Sequence, residues 1–347
     1  MSDQNRMELN ELGEFALIDA LTGTFGMENK STKRGVGDDA AIIEYDSGKQ
    51  TVVSTDMLVE GVHFDMVYTP LKHLGYKAVI VNLSDIYAMN AIPKQITVSL
   101  AVSNRFSYQA LEELYTGIKM ACETYGVDLV GGDTTTSLSG LTISITAIGQ
   151  ADADKVVYRS GAQPGDKIFV SGDLGGAYMG LTIMEREKEV FMAAPGAQPD
   201  LKGHDYIVGR LLKPEARRDV QELLDESGIL PTAMIDISDG LSSELMHIAK
   251  NSEVGIYIEE EKIPIAEQTY DQALDFSIDP INCALNGGED YELLFTLKAE
   301  DAQKLKGSPF VTEIGEVKEV DEGIKIYTKG GNIHELLAQG WKHLEQE

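Results

Sequence analysis

The sequence predicts a mixed α/β (α+β) protein of two domains, and three observations support this fold class. The chain has 347 residues, and a domain usually takes ~100–200 residues. Stretches with helical spacing of apolar residues alternate with stretches of strand spacing along the chain. Between residues 151 and 166, polar residues, glycines and Pro164 interrupt that periodicity. We therefore expect one domain at residues 1–152 and a second at residues 153–347.

The elements of the first domain follow from the spacing of its apolar residues. Leu9, Leu12, Phe15 and Ala16 share one face of a predicted N-terminal helix. Residues 141–149 alternate apolar and hydroxyl side chains, which indicates a half-buried antiparallel strand. The other elements predicted are a β-hairpin of residues 40–45 and 51–55, a helix at 72–89, a strand at 95–102 and a helix at 108–125.

The second domain repeats this alternation. Glycines at 172, 175 and 176 stand between a predicted strand and a helix, which fits either a phosphate cradle at a helix N-terminus or close helix–strand packing. Its predicted elements are a strand at 167–170, the helix after the glycines, a helix begun by Pro214, a strand at 232–237, a helix at 240–250 and a strand at 291–297.

The charge balance excludes several classes of protein. There are 57 Asp and Glu residues against 29 Lys and Arg residues, which leaves a net charge of −28. Proteins that bind nucleic acids or anionic membranes need a basic surface, so neither partner is expected. No apolar run approaches the about 20 residues that span a bilayer, and the N-terminus is polar, unlike a signal peptide. Two cysteines are too few for a framework of several disulfide bonds. We expect a cytoplasmic protein.

Acidic residues stand beside Gly, Ser or Thr in six separate segments. Carboxylates suit Mg²⁺, a hard ion that takes oxygen ligands, and glycine lets backbone N–H groups approach phosphate closely. The pattern therefore predicts a metal–polyphosphate site, although each segment by itself also fits a turn or a helix N-cap. The segments are Gly37-Asp38-Asp39, Ser54-Thr55-Asp56, Asn82-Leu83-Ser84-Asp85, Gly131-Gly132-Asp133, Asp236-Ile237-Ser238-Asp239-Gly240 and Gly287-Gly288-Glu289-Asp290.

Asp85 is the least turn-like of these carboxylates. It lies inside a predicted helix, where Asp is a poor helix former, and its neighbours are mostly apolar. A carboxylate that is poorly solvated needs a partner or a cation. Asp85 is therefore a candidate ligand even when its segment is considered alone.

The common nucleotide-binding motifs are absent from the sequence. There is no GxxxxGK[ST] segment, and the HRD and DFG elements of protein kinases are missing. The segment GVGDDA matches GxGxx[GA], but it precedes a predicted strand instead of following one. His63 has no second histidine at a helpful spacing, which argues against zinc.

Seven segments of the chain, taken together, resemble the aminoimidazole-ribonucleotide-synthetase (PurM-like) superfamily of ATP-dependent enzymes. They are GVGDDAA, STDMLVEGVHF, NLSDIYAMNA, VGGDTT, YRSGAQPGD, DISDGL and GGEDYEL. Within it, the chain is most similar to the thiamine-monophosphate kinase family. The resemblance implies an N-terminal domain that binds ATP and Mg²⁺ and forms a homodimer. It also implies a C-terminal α/β domain that completes the site for thiamine monophosphate.

The resemblance also implies a role for individual residues, and none of them is a covalent or general-base catalyst. His63, Glu289 and Trp341 would hold the thiamine phosphate, although a core histidine and a packed terminal aromatic are the alternatives. Gly132, Asp133, Arg159, Ser238 and Tyr115 would bind the nucleotide, with a surface ion pair as the alternative for Arg159. Metal ligands would be Asp39, Ser54, Thr55, Asp56, Asp85, Asp133, Asp236 and Asp239.

The expected reaction is ATP-dependent phosphorylation of thiamine monophosphate to thiamine diphosphate. A phosphate monoester is largely ionised near pH 7, since its second pKa is about 6, so its attack needs no strong base. Several Mg²⁺ ions would screen the repulsion between the two polyanions and align them for direct in-line transfer. The alternatives are a purine-biosynthetic synthetase of the same superfamily and a non-catalytic metal–nucleotide sensor.

Overall fold

The structure is a computed structural model, and it describes residues 20–34, 42–194 and 198–337. It divides into two compact units, one within residues 1–87 and 91–156 and the other within residues 88–90 and 157–347. Both units contain helices and sheets, so the predicted mixed α/β class is confirmed. The predicted helix at residues 9–16, Asp39 and Trp341 lie outside the described residues.

The first unit is built on a four-stranded sheet in the order β3-β6-β4-β5. Its helices coincide closely with the two predicted helices, because each has a full apolar face. The strands are β3 (Lys49–Val59), β4 (Ile92–Val102), β5 (Asp128–Thr136) and β6 (Leu141–Asp152), and the helices are α1 (Leu71–Ala88) and α2 (Tyr108–Tyr125).

The sheet of the first unit has one buried and one open face. Along β6, buried residues such as Ile143 and Ile145 alternate with half-buried ones, as the sequence pattern predicts. The helices α1 and α2 contact each other through glycine: a Cβ on Gly75 would collide with the Leu114 carbonyl group, and one on Gly117 with the Lys72 carbonyl group. These two glycines therefore set how closely the helices approach.

The predicted hairpin of residues 40–45 and 51–55 is wrong. The short strand β2 (Ile42–Ile43) pairs with β1 (Thr32–Arg34), and β3 pairs with β6 over eleven residue pairs, from Lys49–Asp152 to Val59–Thr142. A turn sequence between two apolar runs indicates a hairpin only when no other, longer strand competes for pairing with either run. Here the long β6 strand takes the place beside β3.

A buried carboxylate anchors the segment that leads into β1. Asp128 is fully buried at the start of β5 and accepts hydrogen bonds from the backbone N–H groups of Glu28 at 2.5 Å and Asn29 at 3.1 Å, and from the Thr32 hydroxyl at 2.5 Å. Gln95 donates to the same hydroxyl at 2.8 Å. This network attaches residues 28–32 to the sheet.

The second unit contains a seven-stranded mixed sheet in the order β13-β12-β9-β11-β7-β10-β8. All pairs in it are antiparallel except β12 with β9. Its strands are β7 (Lys167–Ser171), β8 (Ala233–Ile237), β9 (Gly255–Glu259), β10 (Glu292–Leu297), β11 (Val311–Lys318), β12 (Ile324–Tyr327) and β13 (Ile333–Glu335).

Helices of the second unit pack on this sheet, whose strands β7, β10 and β8 are almost wholly buried. Phe169 and Phe295 stack across β7 and β10 at 5.6 Å between ring centroids. None of the helices in the described parts of the chain is long and apolar enough to cross a membrane. The helices are α3 (Gly176–Ala193), α4 (Asp205–Leu212), α5 (Arg218–Glu226), α6 (Leu241–Ser252), α7 (Glu267–Asp275), α8 (Pro280–Asn286) and α9 (Ala299–Ala302).

Candidate active site

Two of the predicted carboxylates meet in the first unit. Asp56 on β3 and Asp85 on α1 share a side-chain hydrogen bond. Burial, followed by the charge of Asp85 and this hydrogen bond, raises the pKa of Asp56 to about 6. Two carboxylates in contact repel each other when both are ionised, so the pair favours either a shared proton or a bound cation.

Neighbouring polar groups hold this pair in place. The Ser54 hydroxyl donates to Asp85 Oδ2, and Ser54 and Asp56 lie on the same face of β3 because side chains alternate along a strand. Asn82 is buried on α1, where its Oδ1 accepts the backbone N–H of Asp56 at 3.0 Å and its Nδ2 donates to the Ala78 carbonyl oxygen at 3.0 Å.

Asn82 is a site residue that the sequence analysis did not single out. It lies three positions before Asp85, which places both residues on one face of the helix. That spacing within Asn82-Leu83-Ser84-Asp85 was the available signal. Through these two residues α1 contacts β3 twice.

Of the other predicted metal ligands of the first unit, the two that the structure describes do not join the pair. Thr55 lies on the opposite face of β3, where its hydroxyl donates to the Ile145 carbonyl oxygen and accepts from Thr146 Oγ1, both at 3.1 Å. Asp133 is exposed on β5, and its Oδ1 accepts the backbone N–H of Thr134 at 2.9 Å. Their roles as ligands stay predictions.

Gly132 precedes Asp133 at a point where no larger residue fits. A Cβ at this position would collide with the Val98 carbonyl oxygen of the neighbouring strand β4. The backbone of β5 is therefore pressed against β4 while residue 132 itself is exposed. Exposed backbone of this kind suits close approach by a ligand, which is consistent with the predicted nucleotide contact.

The two remaining candidates of the first unit differ in exposure. His63 is half-buried, and its Nδ1 accepts the backbone N–H of Val59 at 3.1 Å, so a neutral ring carries its proton on Nε2. Tyr115 is buried on α2 with its ring edge-on to Phe25, and burial raises its pKa to about 12. Tyr115 has the character of a core residue, and its nucleotide role stays a prediction.

In the second unit, Asp236 and Asp239 flank the junction between β8 and α6. Asp236 is buried at the end of β8, and the backbone N–H of Asp239 donates to Glu244 Oε1 at 3.0 Å. Glu244 is itself buried, and burial together with the charges of Asp239 and Asp236 raises its pKa to about 8. Glu244 is a second site residue, after Asn82, that the sequence analysis did not single out.

The turn that carries Glu289 packs directly on this junction. The backbone N–H of Glu289 donates to the Ser238 carbonyl oxygen at 2.7 Å, and that of Tyr291 donates to the Ile237 carbonyl oxygen at 2.9 Å. A Cβ on Gly288 would collide with the same Ser238 oxygen. Ser238, Asp239 and Glu289, predicted from separate motifs, therefore lie together.

Arg159 is exposed and lies near the same junction. Burial lowers the pKa of His247 on α6, and the charge of Arg159 lowers it further while that of Asp239 raises it. Both charged groups are therefore within electrostatic range of His247. An exposed guanidinium beside an acidic segment is suitable for binding phosphate oxygens.

A magnesium ion fits the oxygen donors of the first unit. Within residues 20–34, 42–194 and 198–337, no three His, Cys, Asp or Glu side chains are close enough to hold a metal. However, Asp56, Asp85 and Ser54 offer only oxygen atoms and an excess of negative charge, which is the donor set of a hard cation. Asp39, the remaining predicted ligand, lies outside the described residues.

Comparisons with known proteins agree with the two-part organisation of the chain. Residues 37–151 match the family profile of the AIR synthase related protein, N-terminal domain. Residues 163–327 match that of the AIR synthase related protein, C-terminal domain.

Individual relatives are similar over almost the whole chain. The thiamine-monophosphate kinase of Aquifex aeolicus (strain VF5) is 36% identical over 97% of this chain and 100% of its own length. That of Bacillus subtilis (strain 168) is 34% identical over 96% and 100%. A solved structure of AaThiL complexed with AMPPCP and TMP matches with a TM-score of 0.73 and 35% identity, covering 98% of this chain and 100% of that one.

Proposed function

We propose that this chain, which belongs to the thiamine-monophosphate kinase family of AIR-synthase-related proteins, transfers the γ-phosphoryl group of ATP to thiamine monophosphate. The chain is an enzyme of the kinase class. A relative of the same fold is solved with AMPPCP and TMP, an ATP analogue and the acceptor proposed here.

The observation that carries the proposal is the contact between Asp56 and Asp85. A like-charged pair of this kind costs free energy unless a cation offsets it. The two reacting phosphates are both anionic, and kinases use such carboxylates to hold the metal cations that offset this charge. When bound, Mg²⁺ would neutralise part of the phosphate charge and orient the γ-phosphoryl group.

The chain's own residues would bind and align the two substrates. The metal ligands of the first unit would be Asp39, Ser54, Thr55, Asp56, Asp85 and Asp133. Those of the second unit would be Asp236 and Asp239. The exposed backbone at Gly132 would bind the nucleotide. Arg159, Ser238 and Tyr115 would contact the nucleotide as well. His63 would donate its Nε2 proton to an acceptor phosphate oxygen, with Glu289 and Trp341 completing the acceptor site.

The transfer would be direct. An ionised acceptor oxygen attacks the γ-phosphorus while the bond to the β,γ-bridging oxygen breaks, and ADP leaves with that electron pair. No residue becomes phosphorylated, and catalysis depends on alignment and electrostatics. A chiral-phosphate experiment should therefore show inversion at phosphorus, and retention would contradict this mechanism.

The proposal is tested by incubating the protein with ATP, Mg²⁺ and thiamine monophosphate and separating the products by chromatography. We expect thiamine diphosphate and ADP in equal amounts. ADP formation that does not depend on thiamine monophosphate, with no thiamine diphosphate, would refute the proposed acceptor.

The variant Asp56→Asn separates a kinase from a nucleotide sensor. Turnover should fall by at least about a hundredfold, because even outer-shell partners of metal ligands contribute about 10–100-fold. Asp46→Asn, an exposed carboxylate in the turn before β3, is the matched control and should keep full activity. A sensor would form no product as wild type, and Asp56→Asn would only weaken its ATP binding.

We also propose that the chain forms a homodimer through the open face of the first unit's sheet. Val53 and Met57 on β3 support this proposal, since they expose 60% and 55% of their surface on that face. Light scattering should give twice the chain mass of 37.8 kDa. Met57→Lys should lower that mass, and a wild-type protein of monomeric mass would contradict the proposal.

A further inference from the structure

The turn that carries Glu289 has an unusual backbone. Glu289 and Tyr291 have φ values of 65° and 53°, in the left-handed region that is unfavourable for residues with a side chain. Two such residues within three positions cost free energy, so surrounding contacts must keep the turn in this conformation. The residue between them, Asp290, makes those contacts.

Asp290 caps the N-terminus of helix α3. Its side chain is fully buried, and its carboxylate accepts the backbone N–H of Gly175 at 2.8 Å and that of Ala177 at 3.4 Å. These N–H groups form the positive end of an 18-residue helix. The glycine loop therefore binds a carboxylate of the protein itself, and helix packing is the interpretation of Gly172–Gly176 that the contacts support.

Arg210 on α4 connects this cap to two other segments. Its Nη2 donates to the Asp173 carbonyl oxygen at 3.0 Å and to the Asp290 carbonyl oxygen at 3.3 Å, and lies 3.7 Å from Asp290 Oδ1. Its Nη1 lies 3.0 Å from Glu292 Oε1. One guanidinium thus spans the glycine loop and both sides of Tyr291, with 15% of its side chain exposed.

Arg217 provides a natural comparison. It is equally buried, with 14% of its side chain exposed, and its Nη1 donates to Glu292 Oε2 at 2.7 Å. Its other contacts are with Asp219, at 2.9 Å and 2.7 Å. Among the described residues, its hydrogen bonds and ion pairs involve only these two carboxylates, so it shares one partner with Arg210 but does not contact the turn.

We propose that Arg210 and Asp290 are positioning residues, which hold the turn so that Glu289 contacts the acceptor. This inference rests on the proposed function, in which Glu289 belongs to the acceptor site. Lysine cannot replace Arg210, because a single ammonium group cannot reach separated oxygens from one plane as a guanidinium does. The substitution Asp290→Asn keeps the size of the side chain, but only one of the two end atoms of an amide accepts hydrogen bonds. One of the two backbone N–H groups therefore loses its acceptor.

The test compares Arg210→Lys, Asp290→Asn and the control Arg217→Lys with wild type. For each protein, kcat, the KM for thiamine monophosphate, the KM for ATP and the thermal midpoint are measured. Calorimetric titration with thiamine monophosphate in the absence of ATP gives a binding readout independent of turnover. If Arg210→Lys does not fold, Asp290→Asn carries the comparison.

We expect both turn variants to raise the KM and the calorimetric Kd for thiamine monophosphate about tenfold, with the KM for ATP within about twofold. Arg217→Lys should lower the thermal midpoint similarly and leave acceptor binding unchanged.

Equal effects of Arg210→Lys and Arg217→Lys on acceptor binding would overturn the inference, as would unchanged binding in both turn variants of an active enzyme. A wild-type protein that forms no thiamine diphosphate would instead refute the proposed function, so the two failures are distinguishable.

Discussion

The side chains of Asp56 and Asp85 share a hydrogen bond although one residue belongs to a strand and the other to a helix. The helix brings a second group to the same strand, since Asn82 Oδ1 accepts the backbone N–H of Asp56. The position of α1 along β3 therefore determines where the carboxylates lie.

Substitution of Asn82 by Ala should impair both stability and turnover. It removes the acceptor of the half-buried backbone N–H of Asp56, which costs about 1 kcal/mol. Turnover should fall at the same time, because Asp56 loses its backbone anchor. Urea denaturation and steady-state rates measure the two effects. Thr116→Ala, an exposed hydroxyl on α2, is the control, and equal behaviour of the two variants would contradict the anchoring role.

Asp128→Asn should destabilise the protein by about 1–3 kcal/mol, because one of three donors to this buried carboxylate loses its acceptor. The free energy of unfolding from urea titration measures this loss. Asp154→Asn, an exposed carboxylate, should have no such effect. A stability of Asp128→Asn equal to that of wild type would show that the network contributes nothing.

Gly117→Ala should destabilise the first unit by more than about 2 kcal/mol, since the new methyl group would collide with the Lys72 carbonyl oxygen of the facing helix. Gly209→Ala is a matched control in helix α4, because no atom lies within 4 Å of its added methyl group. There the higher helix propensity of Ala should raise stability by up to about 1 kcal/mol. Thermal midpoints should therefore move in opposite directions.

The thiols of Cys122 and Cys283 should not react with Ellman's reagent at pH 8 in the folded protein. They are 4% and 1% exposed, and burial raises their pKa values to about 12 and about 11. The thiolate is the reactive form, so reaction requires unfolding. In concentrated urea both cysteines of the chain should react, and rapid reaction before unfolding would contradict the burial of either residue.

Elements with a complete local pattern could be predicted from the sequence. Helices α1 and α2 and the alternating strand β6 have the predicted positions, because their apolar spacing is regular over most of their length. The partner of β3 could not be predicted, since strand pairing depends on residues about a hundred positions away. The helix expected to begin at Pro214 begins at Arg218, so the proline alone was a poor marker.

The same distinction applies to the site. Ser238, Asp239 and Glu289 were selected by the motifs around them, but their contact depends on two turns that pack through Gly288. Glu244 and Arg210 lie in none of the motifs, and Asn82 lies in one that was selected for Asp85. Their roles arise from partners in other elements, which only the folded structure brings near.

The cap on helix α3 has a consequence for comparing relatives of this protein. Asp290 lies 115 positions after Gly175, so the glycine loop read by itself has the composition of an anion receptor. Whether such a loop is a receptor depends on an acidic residue encoded far away. The loop and position 290 should therefore covary among relatives: a chain that lacks an acid there would leave its helix end open to a soluble anion.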